Sequence, residues 1–193
     1  MLFLVTDIFG RTPALEAIGK ELSDVAPDIR IIDPYRGFDH GFETESHAYD
    51  YFMNRVGMKN YQSILEDCLT PFGPDMVLIG FSVGASAIWA IAGQPSFCQV
   101  KKAFCFYGSQ IREHAHIAPR FEMELIFPEQ EPHFDVDELI SRLSRKDRVL
   151  CKKAIGLHGF MNELSPNFNP ACYAMFMMHL KTSLNPFDTY LNS

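Results

Sequence analysis

Short apolar runs alternate along the chain with stretches whose apolar positions recur every three or four residues. Residues 2–6 are Leu-Phe-Leu-Val-Thr, a continuous run of the kind found in a strand covered on both faces. Thr12-Pro13 supplies a hydroxyl N-cap and a proline at the first helical position. Leu15, Ile18 and Leu22 then share one face of a helix that stops near Pro27. Residues 29–32 predict a second strand, closed by Asp33-Pro34-Tyr35, and residues 36–46, rich in Gly, His and charge, predict a loop. Helical periodicity returns at 47–55 and at 60–69, where Ile64, Leu65, Cys68 and Leu69 form the apolar stripe.

A third strand begins at Met76 and runs into a turn and a helix ending at Gly93. Further strands are predicted at 103–106, 123–127 and 149–155, with a loop over 108–121. Asp135 stands at the cap position of a helix reaching about Arg145. Asn169-Pro170 opens a last helix, apolar through Cys172, Met175, Phe176 and Leu180. Strands alternating with helices predict an α/β fold, a doubly wound and mostly parallel sheet of about six strands. The length suits one domain over residues 1–193. In such sheets ligands bind beyond the carboxyl ends of the strands, near the point where strand order reverses.

The third strand leads into Gly80-Phe81-Ser82-Val83-Gly84, which fits G-x-S-x-G. In that pattern a serine sits on a sharp strand-to-helix turn, and the following helix points free N–H groups toward its oxygen. The plainer reading of the same residues is a βα turn of any parallel sheet. A serine hydroxyl is a poor nucleophile unless a base, usually a carboxylate-oriented histidine, takes its proton. Glu131 follows the fifth predicted strand and His158 the sixth, so Ser82, Glu131 and His158 fall in the chain order serine, acid, histidine. Glu129 and Asp135 are alternative acids.

The other histidines carry less. His114 and His116 form an H-x-H pair with no third ligand at useful spacing, so no metal site is expected. His40 and His47 read as loop residues and His179 as a helix residue. His133, two positions after Glu131, is a candidate to face the pocket. Met175, Met177 and Met178 read as core filling.

Composition narrows the class of partner. The chain of 193 residues carries a net charge of −7 and no long basic run, which argues against nucleic acid. Five dispersed cysteines without C-x-x-C spacing read as reduced thiols of a cytoplasmic protein. The apolar N-terminus has no basic flank and is too short to span a membrane or to act as an export signal.

Taken together, Asp7-Ile8-Phe9-Gly10, Asp33-Pro34-Tyr35, Gly80-Phe81-Ser82-Val83-Gly84, Phe106-Tyr107-Gly108 and His158-Gly159-Phe160 resemble the dienelactone hydrolase family of α/β-hydrolases, over nearly the whole chain. The resemblance implies a truncated α/β-hydrolase fold in which the family's first two strands are missing. It implies an oxyanion hole built from the N–H groups of Val83 and Ile8. Dienelactone hydrolases proper use a cysteine nucleophile where this chain has Ser82, and an aspartate in a Gly-x-x-Asp turn where it has Pro128 and Glu131. The arginines that hold the dienelactone carboxylate have no match: the corresponding places fall at Asn162 and near Glu45.

These observations point to a serine hydrolase of carboxylic esters, lactones or thioesters, acting on a small molecule without a cofactor. Phe9, Phe81, Tyr107 and Phe160 are the expected pocket walls, and they suggest neutral acyl groups rather than carboxylate-bearing lactones. Arg11, Arg36 and Arg112 lie in loops at the carboxyl edge and are the cations that could oppose that preference. A non-catalytic hydrolase-like protein that binds a small molecule or a partner is the alternative. A flavodoxin-like or Rossmann nucleotide binder fits less well, because no G-x-G-x-x-G follows the first strand.

Overall fold

The structure, a computed structural model, describes residues 1–185. Its strands are β1 (Leu2–Val5), β2 (Ile29–Ile32), β3 (Met76–Phe81), β4 (Val100–Phe106), β5 (Glu122–Phe127) and β6 (Val149–Lys153). They form one six-stranded sheet in the order β2-β1-β3-β4-β5-β6, with every neighbouring pair parallel. The helices are α1 (Pro13–Leu22), α2 (Glu45–Arg55), α3 (Gly57–Leu69), α4 (Val83–Ile91), α5 (Val136–Leu143) and α6 (Pro170–Leu184). Among the described residues no helix is long and apolar enough to cross a membrane.

Side chains alternate across each strand, so each strand feeds two cores. Leu2 and Leu4 join Leu15, Ile18 and Leu22 of α1 and Phe176 and Leu180 of α6 on one face. Phe3 and Val5 join Phe52 of α2, Tyr61 and Leu65 of α3, Ile88 of α4 and Leu139 of α5 on the other. The central strands are buried on both sides, which is why they read as unbroken apolar runs. The edge strands β2 and β6 expose Arg30, Leu150 and Lys153.

The expected caps are present. Thr12 accepts from the Leu15 N–H, Asp135 from Asp137 and Glu138, and Asn169 from Ala171 and Cys172. Several details differ from the sequence reading, among them the earlier starts of α3 and β4, the end of β6 at Lys153 and the exposure of Met178, expected as core filling. Helix α2 begins at Glu45 inside the expected loop, because Thr44 caps it by accepting from the His47 N–H. Residues 109–114 of the expected 108–121 loop wind into a short 3-10 helix. Met175, expected in the apolar stripe of the last helix, is 49% exposed.

Strand β1 is placed first, β2 is added on one side and β3 on the other. The chain leaves the carboxyl ends of β1 and β3 in diverging directions, which opens a crevice between them. The first turn of α4 closes tightly on the end of β1: a Cβ at Gly84 would strike the carbonyl oxygens of Val5 and Thr6. Backbone cannot move aside as a flexible side chain can. Gly84→Ala should therefore lower stability by about 1–3 kcal/mol or more in urea unfolding. Gly73→Ala, where a Cβ meets nothing within 4 Å, should stay within about 0.5 kcal/mol. Equal effects at the two positions would show that α4 does not depend on this close approach.

Candidate active site

Ser82 stands between β3 and α4 at φ 50° and ψ −112°, a conformation that costs a non-glycine residue about 1–3 kcal/mol. Surrounding bonds hold it there. Its N–H donates to the Phe106 carbonyl at 2.9 Å, and its own carbonyl accepts from the Ser86 N–H and hydroxyl at 3.0 and 3.1 Å. Gly80 lets the helix fold back over the strand, since a Cβ there would meet Ala85 Cα at 2.8 Å and Ile88 Cδ1 at 2.6 Å.

His158 lies in the loop after β6, with its Nε2 3.0 Å from Ser82 Oγ. Its Nδ1 is 2.7 Å from Glu131 Oε1, and the Glu131 side chain is only 5% exposed. The Tyr107 ring packs against the imidazole at 5.0 Å, and the Asn167 amide donates to the His158 carbonyl at 2.9 Å. Of the three candidate acids, Glu131 is therefore the one against the histidine. Asp135 is spent on capping α5, and Glu129 is exposed and does not line the cleft. A serine, an imidazole and a carboxylate in this sequence of contacts can pass a proton from hydroxyl to imidazole while the carboxylate fixes the tautomer.

Two N–H groups come to the same cleft. Val83 opens α4, so its N–H lies in the first turn, where no intrahelical acceptor exists. The Asp7–Ile8 peptide is held through its carbonyl, which accepts from the Thr6 hydroxyl at 3.1 Å and the Gly10 N–H at 3.2 Å. In a trans peptide the N–H of Ile8 points the opposite way. Tyr35 braces the next peptide, its hydroxyl donating to the Ile8 carbonyl at 2.6 Å. Ile8, Ser82, Val83, Glu131 and His158 all line one cleft of about 660 Å³.

The Bacillus subtilis protein YczH, itself uncharacterized, is 30% identical over 178 residues, which cover 90% of this chain and 86% of the relative. The chain belongs to one family with YczH. Its fold is the α/β-hydrolase fold of the dienelactone hydrolases. A candidate dienelactone hydrolase from Klebsiella pneumoniae superposes with a TM-score of 0.68 at 12% identity, over 95% of this chain and 85% of that one. A dienelactone hydrolase-like promiscuous phosphotriesterase from metagenomic libraries superposes with a TM-score of 0.64 at 15% identity, over 95% and 84%. No protein-family model matches the sequence.

Against other members of this fold the lining of the cleft is the point of interest, and here the sequence reading needs correction. Phe9, Phe81, Tyr107 and Phe160, the expected walls, are all buried; Phe9 and Tyr107 line the small recess beside Ser82 and His158, while Phe81 and Phe160 line neither that recess nor the larger cleft. Phe81, Tyr107 and Phe160 form one aromatic cluster with Phe106 and Phe176, while Phe9 belongs to the core on the other face of the sheet. Phe81 and Phe160 are aromatic because they fill the core under the turn. Most of the residues that line the cleft are polar, among them Glu45, Tyr49, Gln110, Arg112, Gln130 and His133, although their apolar atoms supply much of its surface. Arg112 is thus the one of the three suspected arginines that reaches it, while Arg11 pairs with Glu16 on the surface.

Asp7, directly under the cleft, was not among the expected site residues. It accepts from the Phe9 N–H at 2.9 Å and from the Asn162 amide at 2.7 Å. Burial pushes its carboxyl up from the usual range to about 6. Those two hydrogen bonds and the nearby His158 pull against burial, and the Glu45 charge adds to it. Its signal in the sequence is an acid directly after a buried strand at the carboxyl edge, opening the Asp7-Ile8-Phe9-Gly10 stretch. Asn167 had none. Because Asp7 holds its proton more tightly when folded, its ionisation costs stability as pH rises from about 4 through 6. Below its unfolded value the penalty is absent. Between pH 4 and pH 7 the native protein should lose on the order of 2–3 kcal/mol relative to Asp7→Asn. Urea unfolding of both proteins at the two pH values measures the difference, and parallel pH profiles would refute it.

Proposed function

We propose that the protein is a serine hydrolase of carboxylic esters, lactones or thioesters. Ser82 Oγ attacks the carbonyl carbon while His158 Nε2 takes the hydroxyl proton. The carbonyl oxygen becomes an oxyanion that accepts from the Val83 and Ile8 N–H groups. Collapse of this tetrahedral species breaks the bond to the leaving oxygen or sulfur, which receives the proton from His158. Water, deprotonated by the same imidazole, then attacks the acyl-serine and returns Ser82 to its starting state. Glu131 keeps the Nδ1–H tautomer and stabilises the imidazolium formed in each half.

The observation that carries this reading is the contact chain from Ser82 Oγ through His158 to Glu131 at 3.0 and 2.7 Å, on a serine held at φ 50°. Strain of that kind persists where the surrounding structure imposes it and is common at sites of chemistry. Hydrolases among the structures that share the fold support the same reading.

A fluorophosphonate probe should label the native protein on Ser82 and leave Ser82→Ala unlabelled. With a short-chain thioester or ester, Ser82→Ala and His158→Ala should each lose about 10³-fold or more in kcat, and the double variant little beyond that, because these groups act as a unit. Glu131→Gln should keep the fold and fall by about 10²–10⁴-fold, as its amide cannot stabilise the imidazolium. Additive losses, or an unlabelled Ser82, would overturn the assignment and favour a non-catalytic binding protein.

A further inference from the structure

We propose that Glu45 and Tyr49 form a cation subsite in this cleft, and that the ester cleaved at Ser82 carries an alkylammonium group. The proposal rests on the hydrolase reading above and names the substrate class that reading leaves open. Glu45 and Tyr49 lie four residues apart on α2, so their side chains share one face of the helix. Both line the cleft that contains Ser82 and His158. Neither makes a hydrogen bond, ion pair or ring contact among the described residues, and Tyr49 is 47% exposed. A carboxylate and an aromatic ring side by side, both without partners, bind a cation through charge and through the ring quadrupole together.

The remaining ionisable groups of the cleft leave this charge unanswered. Arg112 is tied into its own loop: its Nε pairs with Glu113 at 3.2 Å, its Nη1 donates to the Ser109 carbonyl, and its guanidinium lies 5.2 Å from the Phe134 ring. Glu131 is engaged by His158, and His133 is exposed on the turn that carries Glu131. Glu45 also lines the small recess that holds Asp7, Ser82 and His158, and its charge raises the carboxyl of Asp7 and the phenol of Tyr107. Three carboxyl groups, Glu45, Glu131 and Asp7, thus surround the nucleophile against one arginine, Arg112, within a chain of net charge −7 that draws cations toward it. A carboxylate in the first turn of a helix favours the helix dipole wherever it points. That accounts for an acid at the start of α2, but not for a paired tyrosine one turn on, facing the same cavity. A cleft of about 660 Å³ has room for an ester of an amino alcohol or of an amino acid.

The test uses two butyryl esters of matched shape, one of choline and one of 3,3-dimethylbutanol, which differ only in charge. The native protein should favour the choline ester in kcat/KM by about tenfold at low salt, with the preference shrinking as salt rises. In Glu45→Gln the ratio should fall to near one, and in Tyr49→Leu it should drop about threefold. Glu43→Gln removes an exposed carboxylate outside the cleft lining and should leave the ratio in place, which separates a subsite from general steering. Binding of choline itself, followed calorimetrically on Ser82→Ala, reads the subsite without catalysis. Binding that disappears in the Ser82→Ala, Glu45→Gln double variant supports the proposal, even if neither ester is hydrolysed and the hydrolase reading falls. Equal turnover of the two esters with no choline binding overturns the subsite, while hydrolysis of both leaves the hydrolase reading standing.

Discussion

The site depends on one close approach: the first turn of α4 against the carbonyls that end β1. Only a residue without a Cβ fits at Gly84, and its contact with Val5 and Thr6 sets α4 directly over the crevice between β1 and β3. Val83, Ser82 and Ile8 thereby line the same cleft. The left-handed backbone of Ser82 follows from the same constraint. The chain must reverse from strand to helix within one residue, and the bonds to Phe106 and Ser86 leave it no relaxed alternative. A few kcal/mol of local strain is sustained because two buried cores, above and below the sheet, hold the strand and helix rigid.

The strand and helix pattern was readable in the sequence because burial is expressed residue by residue. An all-parallel sheet covered on both faces needs continuous apolar strands, and Leu2, Phe3, Leu4 and Val5 are that signal unmixed. The caps at Thr12, Asp135 and Asn169 were equally plain, since side-chain acceptors before helical periodicity have few other uses. Ser82, Glu131 and His158 stood out through chain order and through their places at strand ends. Their mutual distances depend on how the loops after β5 and β6 fold, which no spacing in the sequence encodes. Helix α2 was placed two residues late because its polar first turn, Glu45-Ser46-His47, looks like the loop before it. Helical periodicity needs buried positions, and the first of these is Ala48.

Two of the four pocket walls, Phe81 and Phe160, were misplaced for a related reason. Both adjoin the motif residues in the chain, and adjacency there was taken for adjacency in the cleft. In a strand or tight turn, consecutive side chains point to opposite sides. If Ser82 faces the cleft, Phe81 must face the core, where it stacks on Phe106 at 5.4 Å. Phe160 lies two positions from His158, and the turn at Gly159, with φ 90°, breaks the alternation and sends its ring into the core. The residues that do line the cleft come from α2, the 3-10 turn after β4 and the loop after β5. Those segments carry little periodic signal.

The two halves of the cleft are built on different physical terms. The half near Ser82 is over-determined: strained backbone, fixed peptides and an enclosed carboxyl at Asp7 leave little freedom to move. The half formed by α2 rests on a helix whose buried contacts are few, Ala48 and Phe52, and whose cleft-facing side chains are unpaired. A rigid reacting centre beside an adaptable, charged wall separates two tasks. Chemistry needs donors held within tenths of an ångström of where charge develops, whereas recognition of a charged group works over several ångströms and tolerates motion. Substitution on α2 can therefore alter which molecule is admitted without disturbing how Ser82 is held. On the reading proposed above, β1, β3 and α4 hold the reacting groups, and α2 is the wall free to vary.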